Sequence, residues 1–416
     1  MTPITRRTFL GAGGALVVGF GLGSRAVRRA AAQAASSAPA AVWPADRYLG
    51  KTVAPDQVDA FLAIHADNTV TVFTGKVDLG TGGRAAMRQM VAEELDVPIE
   101  RITELIEGDT AVCPDQGGTG GSTGISRGGQ ELRRAGATAR QALLALASQR
   151  LGRPVGDLEI ADGVVRPKSG GAALSYGDLI GDRQLNVKID AKAPLKPSSA
   201  FRYIGRSVPR PDVPAKVTGR HLYVQNLTLP GMLHGRVIRT PTVGAQLQAV
   251  DESSIAAIPG ARAVRLGNFL GVVAELEWDA VRAARALRAQ WSAGTGLPDH
   301  AALADAVRAT RIVRDQDVAK KGDLTPLGAP GPGVQTLGAT YWWPVQTHGS
   351  LGPSCGVADV RADRATVWTS SQATHRFRET FARLLGLPRD KVRLIYLDGA
   401  GSYGQAGAED AAFDAA

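Results

Sequence analysis

The chain has 416 residues, 44% hydrophobic and 21% charged, with a formal net charge of +9. These values exclude a disordered or collagen-like chain and imply more than one globular core, two to four domains by length. Basic residues never run longer than a pair, so the charge reads as a solvated basic surface and not as a nucleic-acid interface.

From the N-terminus, "TRRTFL" (5–10) is followed by the apolar "GAGGALVVGFGLG" (11–23) and a small-residue region. Paired Arg6 and Arg7 ahead of a Gly-rich apolar run resemble a twin-arginine export signal over 1–34, which implies a periplasmic protein. The apolar run is too short for a transmembrane segment. Residues 35–56, rich in Ala, Ser and Pro, read as a linker.

Alternation on both sides of "ADN" predicts a β-hairpin turning at Asp67-Asn68. The loop "DLGTGG" then feeds a helix with Met87, Met90, Val91 and Leu95 on one face, and "ITELIEGDT" reads as a strand. A second small-residue loop, Pro114 to Gly129, feeds the helix "QELRRAGATARQALLALASQRL". Residues 151–200 read as a β-rich or irregular extension with "ADG" as a turn. Three prolines between Pro209 and Pro214 mark a boundary. Strand-like "LYVQNLTL", "MLHGRVIR" and "ARAVRLGNFLGVVAEL" follow, then a helix "EWDAVRAARALRAQW". After a Gly- and Pro-rich break at 324–333, "GATYWWPVQTHGSLGPSCGVADV" alternates. Next come "ATVWTSSQ", a helix "THRFRETFARLLGL" and a strand "KVRLIYLDG". A third Gly loop, "GAGSYGQAGAEDAA", opens a helical pattern still running at Ala416, which suggests a truncated reading frame or a fragment.

The chemistry sits in the three loops. Glycine permits positive φ and close approach of a ligand to backbone amides at a helix start. "DLGTGGRA" matches neither the P-loop nor the GxGxxG fingerprint. Gln116, Thr119, Ser122 and Thr123 in the second loop and Ser402, Tyr403 and Gln405 in the third offer neutral donors and acceptors. Such a set suits a large polar heterocycle with one or two phosphates better than a bare triphosphate. The two cysteines, Cys113 and Cys355, form no CxxC, so the chain has no iron–sulfur or thiolate zinc site of its own, and their pairing is open. The six histidines are scattered without HExxH, and no metal ligand is expected from the protein.

"FTGKVDLGTGGRAAMRQMVAEELDVPIERI" followed by "GDTAVCPDQGGTGGSTGISRGG" resembles the molybdopterin-binding large subunit of the xanthine dehydrogenase/aldehyde oxidase family. "RPDVPAKVTGRHLYVQNLTLPGMLHGRVIRTP" with the segment after it is similar to that family's α/β hammerhead module. "VWTSSQATHRFRETFARLLGLPRDKVRLIYLDGAGSYG" is similar to its molybdenum-site stretch. The pterin loop precedes the hammerhead here, as in bacterial isoquinoline 1-oxidoreductase beta subunits and nicotinate dehydrogenase-like subunits. The resemblance implies an α+β fold. It comprises a molybdopterin-binding segment at 57–206, the hammerhead at 207–323 and an incomplete molybdopterin-binding segment at 324–416.

The resemblance also implies function. Family members oxidise an aldehyde or hydroxylate an N-heterocycle, with molybdenum carried by a pterin dithiolene, here expected as the cytosine dinucleotide. Electrons pass to a small [2Fe–2S] subunit and in many relatives to a cytochrome c subunit. Cofactor contacts fall by motif on Gly80, Thr81 and Gly82, on Gly117, Gly118, Thr119, Ser122 and Thr123, on Gln372, and on Gly401, Ser402, Tyr403 and Gly404. Thr81 replaces the family's Gln and Tyr403 its Phe. Gly352 stands where many relatives have a Glu that holds purines, which argues against xanthine. The family's glutamate base belongs to a Gly-Glu-Pro-type motif that this chain lacks. No catalytic residue is therefore assigned, and the chain alone is expected to be inactive. The alternative is a non-catalytic exported scaffold of the same fold.

Overall fold

The computed structural model describes residues 43–322, 332, 333, 335–408 and 411–416. The export signal read over 1–34 lies outside these residues. The described chain forms two compact units, one of residues 228–296 and a larger one of residues 43–227 and 297–416.

In the larger unit, β1 (Leu62–Ile64) and β2 (Val70–Thr74) form the expected hairpin, and β3 (Ile102–Glu107) runs parallel to β2. The turn closes because Asn68 takes φ 66° and the Thr69 amide donates to the Asp67 carboxylate at 2.9 Å. Between β2 and β3 lies α1 (Gly83–Leu95), and α2 (Gln130–Leu151) packs across it. Met87, Val91 and Leu95 meet Leu132, Ala135, Ala139 and Leu143 in the main apolar core. Gly136 allows this approach, since a Cβ there would lie 3.0 Å from Cβ of Glu94.

Residues 43–56, read as linker, lie on this unit. Ala45 is buried, the Tyr48 ring stands edge-on to Phe73 at 4.8 Å, and Lys51 donates to the carbonyls of Asp59 and Ala60. The extension after α2 is a three-stranded meander of β4 (Leu158–Ala161), β5 (Val164–Pro167) and β6 (Leu174–Ser175). "ADG" is its turn, with Asp162 and Gly163 at positive φ. A Ser175 cap starts the short α3 (Tyr176–Ile180), and α4 (Val213–Val217) follows the proline-rich boundary.

Unit 228–296 holds a sheet of β7 (His234–Val237), β10 (Phe269–Ala274) and β9 (Arg262–Leu266), paired in that order. A ribbon of β8 (Leu247–Asp251) with β11 (Arg288–Trp291) and helix α5 (Glu277–Ala286) complete it. The predicted helix from Glu277 to Trp291 is therefore too long. Backbone pairing with β8 takes "RAQW" as a strand after Leu287 leaves helical geometry at ψ 120°. "LYVQNLTL" is not a strand either. Tyr223 and Val224 reach Asp398 through backbone contacts, and Val224–Asn226 is a 3-10 turn.

The last segment is β12 (Gly356–Val360), β13 (Ala365–Thr369), α6 (Thr374–Leu385), β14 (Val392–Tyr396) and α7 (Ala411–Ala415). The alternation between 335 and 355 forms no strand. Here β12 and β13 are antiparallel and β14 is parallel to β13, the arrangement of β1, β2 and β3. The two motifs repeat in detail. "LDVPIERI" (95–102) and "LGLPRDKV" (385–392) each end a helix with a left-handed residue, Asp96 at φ 55° and Gly386 at φ 65°. The next amide returns to the helix, Val97 to Ala92 O at 3.2 Å and Leu387 to Ala382 O at 3.0 Å. Pro98 and Pro388 then open a 3-10 turn into the parallel strand. Reading the segments singly misses this duplication.

Candidate functional site

The helix-start amides of the first loop are already bonded. Asp78, almost fully buried, accepts from the amides of Gly82 at 2.8 Å and Arg84 at 3.0 Å. The Thr81 hydroxyl donates to the Asp78 carbonyl at 2.7 Å. The loop is thus a helix start whose Gly82 and Arg84 amides are already occupied by the Asp78 carboxylate. Gly80 is exposed with open space where a Cβ would sit, and Gly82 takes φ 86° beside Arg210.

The second and third loops meet on Gln372. Its Nε2 donates to Thr119 O at 2.6 Å, its carbonyl oxygen accepts from Ser402 Oγ at 3.0 Å, and its own backbone carbonyl accepts from the Thr119 amide at 2.7 Å. The Thr119 hydroxyl accepts from the Val77 amide at 3.0 Å, which joins the first loop to the second. Gln116 is saturated. Its carbonyl accepts from Thr74 Oγ1 and the Gly75 amide, and its amide donates to Gly128 O and Glu131. Gly118 lies against Ala373, with room for no more than a tight Cβ contact at 3.1 Å. The Thr123 hydroxyl donates to Gly120 O at 2.7 Å, and Ser122 is exposed at φ 59°.

The polar side chains that sequence singles out therefore bond largely to one another. They build a frame whose outward surface is glycine: Gly117, Gly120 and Gly121 each face open space. In the third loop Gly401 and Gly404 take φ 108° and 100°, Ser402 is buried and Tyr403 is exposed. A cleft of about 620 Å³ is lined by Leu79 and Gly80 of the first loop, Gly401 to Tyr403 of the third, and Lys216, Tyr223 and Asp398.

Sequence reasoning missed the charged floor of this region. Asp398 lies just past β14, and Arg84 grips it through Nη2 at 2.7 Å and Nη1 at 3.1 Å. Lys216 Nζ, His221 Nε2 and Tyr396 Oη are within 3.0, 2.8 and 3.0 Å of the same carboxylate. The Tyr396 hydroxyl also accepts from the Leu79 amide, which links this group to the first loop. Arg84 Nε donates to Glu107 at 2.5 Å.

The two carboxylates compete for one guanidinium. Burial opposes ionisation of Asp398, but Arg84 and Lys216 outweigh it and hold the carboxyl well below the usual range. Glu107 is wholly buried, and burial pushes its carboxyl up to about 8 despite Arg84. Its Oε1 has no hydrogen-bond partner among the described residues. Each acid precedes a glycine near the exit of a parallel strand, Glu107 as the last residue of β3 and Asp398 two residues past β14, and an acid–glycine pair after an apolar run is the sequence signal that could have found them.

Among the described residues no group of three His, Cys, Asp or Glu side chains converges to hold a metal ion, and no helix is long and apolar enough to cross a membrane. Cys113 is buried, its thiol donating to Ile106 O at 3.4 Å.

Residues 25–215 and 314–416 each match a family described as a molybdopterin cofactor-binding domain. The chain is 41% identical over 382 residues to a nicotinate dehydrogenase subunit of Pseudomonas putida, covering 89% of this chain and 32% of that protein. It is 27% identical over 442 residues to the beta subunit of isoquinoline 1-oxidoreductase of Brevundimonas diminuta, covering 94% of this chain and 54% of that one. The chain thus spans about a third and about half of these relatives. Among solved structures it is similar to quinoline 2-oxidoreductase from Pseudomonas putida 86, with 20% identity, a TM-score of 0.36, and coverage of 49% of this chain and 31% of that one. Two molybdopterin-domain matches over well over half the chain, with relatives among dehydrogenase and oxidoreductase subunits, place it in the xanthine dehydrogenase family of molybdopterin cofactor-binding proteins.

Proposed function

We propose that this chain is the molybdopterin-binding part of the large subunit of a molybdenum hydroxylase that oxidises an aldehyde or an N-heterocycle. The observation that carries the reading is the junction at Gln372, which binds Thr119 of the second loop and Ser402 of the third. The residues fit a pterin. The frame is held from within, and Gly80, Gly117, Gly120 and Gly121 face open space, which lets a heterocycle approach the backbone closely. Gly80, Thr81 and Gly82, Gly117 to Thr119, Ser122, Thr123, Gln372 and Gly401 to Gly404 would line that surface. Contact is chiefly through backbone, because Thr81, Gln372 and Ser402 are engaged elsewhere.

When bound, the pterin-held molybdenum supplies two-electron oxidation of a carbon centre. This chain's part is to orient the cofactor and hold fixed charge beneath it. Arg84, Lys216 and His221, each part-buried, gather on the buried Asp398 carboxylate, and Tyr396 ties this charged group to the Leu79 amide. We further propose the cytosine dinucleotide form of the cofactor, a [2Fe–2S] partner subunit, a cytochrome c acceptor and twin-arginine export to the periplasm. The names of the relatives favour nicotinate-like and isoquinoline-like N-heterocyclic substrates.

The test is to express the chain in a host that makes the cofactor and to assay the purified protein for molybdenum and for fluorescent oxidised pterin. Equimolar molybdenum and pterin is the expected result, with cytidine monophosphate released on acid hydrolysis. Neither metal nor pterin at any loading would refute the reading, and a bound adenine nucleotide would replace it.

A further inference from the structure

Lys76 lies in the loop between β2 and α1 and is 1% exposed. Its ammonium donates to Gly118 O at 2.8 Å and to Thr123 Oγ1 at 3.3 Å, two groups of the second glycine loop. Among the described residues no carboxylate lies within ion-pair distance of it. Glu131 and Asp115 act on it only from farther away, Arg127 opposes them, and burial lowers its pKa most of all. Glu131 is bonded to Gln116, and Asp115 to the Gly117 amide.

The site is shaped around this side chain. A Cβ on Gly128 would fall 2.5 Å from Cγ of Lys76 and 3.1 Å from its Cε, so the missing side chain there is the channel for the lysine stem. Lys51, half-buried and without an ion-paired carboxylate among the described residues, is a useful contrast. Its ammonium donates to three carbonyls, of Thr52, Asp59 and Ala60, and lies 4.1 Å from the Phe73 ring centroid. An ammonium has three donors. Lys51 uses all of them on backbone, whereas Lys76 places two on the loop and, among the described residues, has no partner for the third. A buried charge without a counter-ion is costly, and an arriving anion removes that cost.

Gly117, Gly121 and Ser122 take φ 70°, 57° and 59°, and Gly117, Gly120 and Gly121 face open space on the same loop whose Gly118 O and Thr123 Oγ1 the ammonium holds. We propose that Lys76 is the counter-charge for a phosphoryl anion seated on the Gly117–Thr123 loop, its third N–H donating to a phosphoryl oxygen. The assignment rests on reading this loop as a pterin loop. The same chemistry is offered by the phosphate of a pterin cofactor and by free pyrophosphate.

The experiment titrates inorganic pyrophosphate into the cofactor-free protein by calorimetry, for wild type, Lys76→Met and Lys76→Gln, with circular dichroism as the folding check. Pterin retention is measured in parallel by fluorescence. Wild type is expected to bind pyrophosphate, and each folded variant to bind it at least tenfold more weakly and to retain correspondingly less pterin. Equal pyrophosphate affinity in a folded variant overturns the proposal, as does no binding by wild type. Pyrophosphate binding that depends on Lys76 in a protein that never retains pterin keeps the anion site and removes the pterin reading. Pterin retained equally by all three removes the role of Lys76 and leaves that reading standing.

Discussion

Replacing Asp398 by Asn keeps the shape of the side chain and removes its charge. The carboxylate meets Arg84 twice, Lys216, His221 and Tyr396, all within 3.1 Å. An Asn amide turns an NH2 toward at least one of these donors. Breaking a buried ion pair by removing one partner costs about 3–5 kcal/mol. Lys216 keeps Asp212 at 2.8 Å and Arg84 keeps Glu107, so the expected loss is at the lower end, about 3 kcal/mol.

The loss should depend on pH. In wild type the Glu107 carboxyl is raised to about 8 by burial. A raised acid contributes stability that is complete below its unfolded value and fades as pH rises through its folded value. With Asp398 neutral, Arg84 has Glu107 as its nearest counter-charge and pulls that carboxyl down. The variant therefore loses most of the decline between about pH 5 and pH 8. Urea unfolding of both proteins at pH 5 and pH 8 should show a larger stability gap at pH 5. A loss under about 1 kcal/mol at both values, or parallel pH profiles, would refute the shared-guanidinium account.

Glu107→Gln, by the same linkage, should flatten the wild-type decline of up to about 1.4 kcal/mol per pH unit between pH 5 and pH 8, read from chemical melts. Gln116→Leu leaves the Gly75 amide, Gly128 O and Glu131 without their buried partner, and urea melts should report a loss of about 3 kcal/mol. Gly75→Ala drives a Cβ to 2.2 Å from Pro114 O, so the soluble yield should collapse or the melting temperature fall by more than about 8 °C. Tyr176→Phe removes the hydroxyl donated to Leu95 O at 2.8 Å inside the core, and a loss of about 1 kcal/mol is expected from the same unfolding assay.

Local chemistry was legible in the residues themselves. The hairpin at Asp67-Asn68, the full span of α2 and the helix and strand from Thr374 to Tyr396 follow from turn residues and periodicity, which act over a few positions. The three glycine loops were equally legible, because left-handed backbone favours glycine, even though Asn68, Asp96 and Ser122 also adopt it here. Strand Arg288–Trp291 was not, since its backbone partner β8 lies about forty residues earlier and outweighs a helical pattern. The duplication of hairpin, helix and parallel strand also emerged only from the sheet pairings.

At the candidate site the division is sharper. Sequence alone determined that Thr119 and Ser402 occupy glycine loops of like character, and motif resemblance supplied Gln372 and the family. Tertiary structure decided that these groups bond to each other, that Asp78 closes the first loop, and that Arg84 stands between Glu107 and Asp398. Those partners are separated by 253, 30 and 314 residues in the closest contacts of Gln372 with Thr119, Ser402 with Gln372, and Arg84 with Asp398. A pattern read along the chain carries propensity and pleat, but charge pairing depends on distance in space, and folding sets that distance.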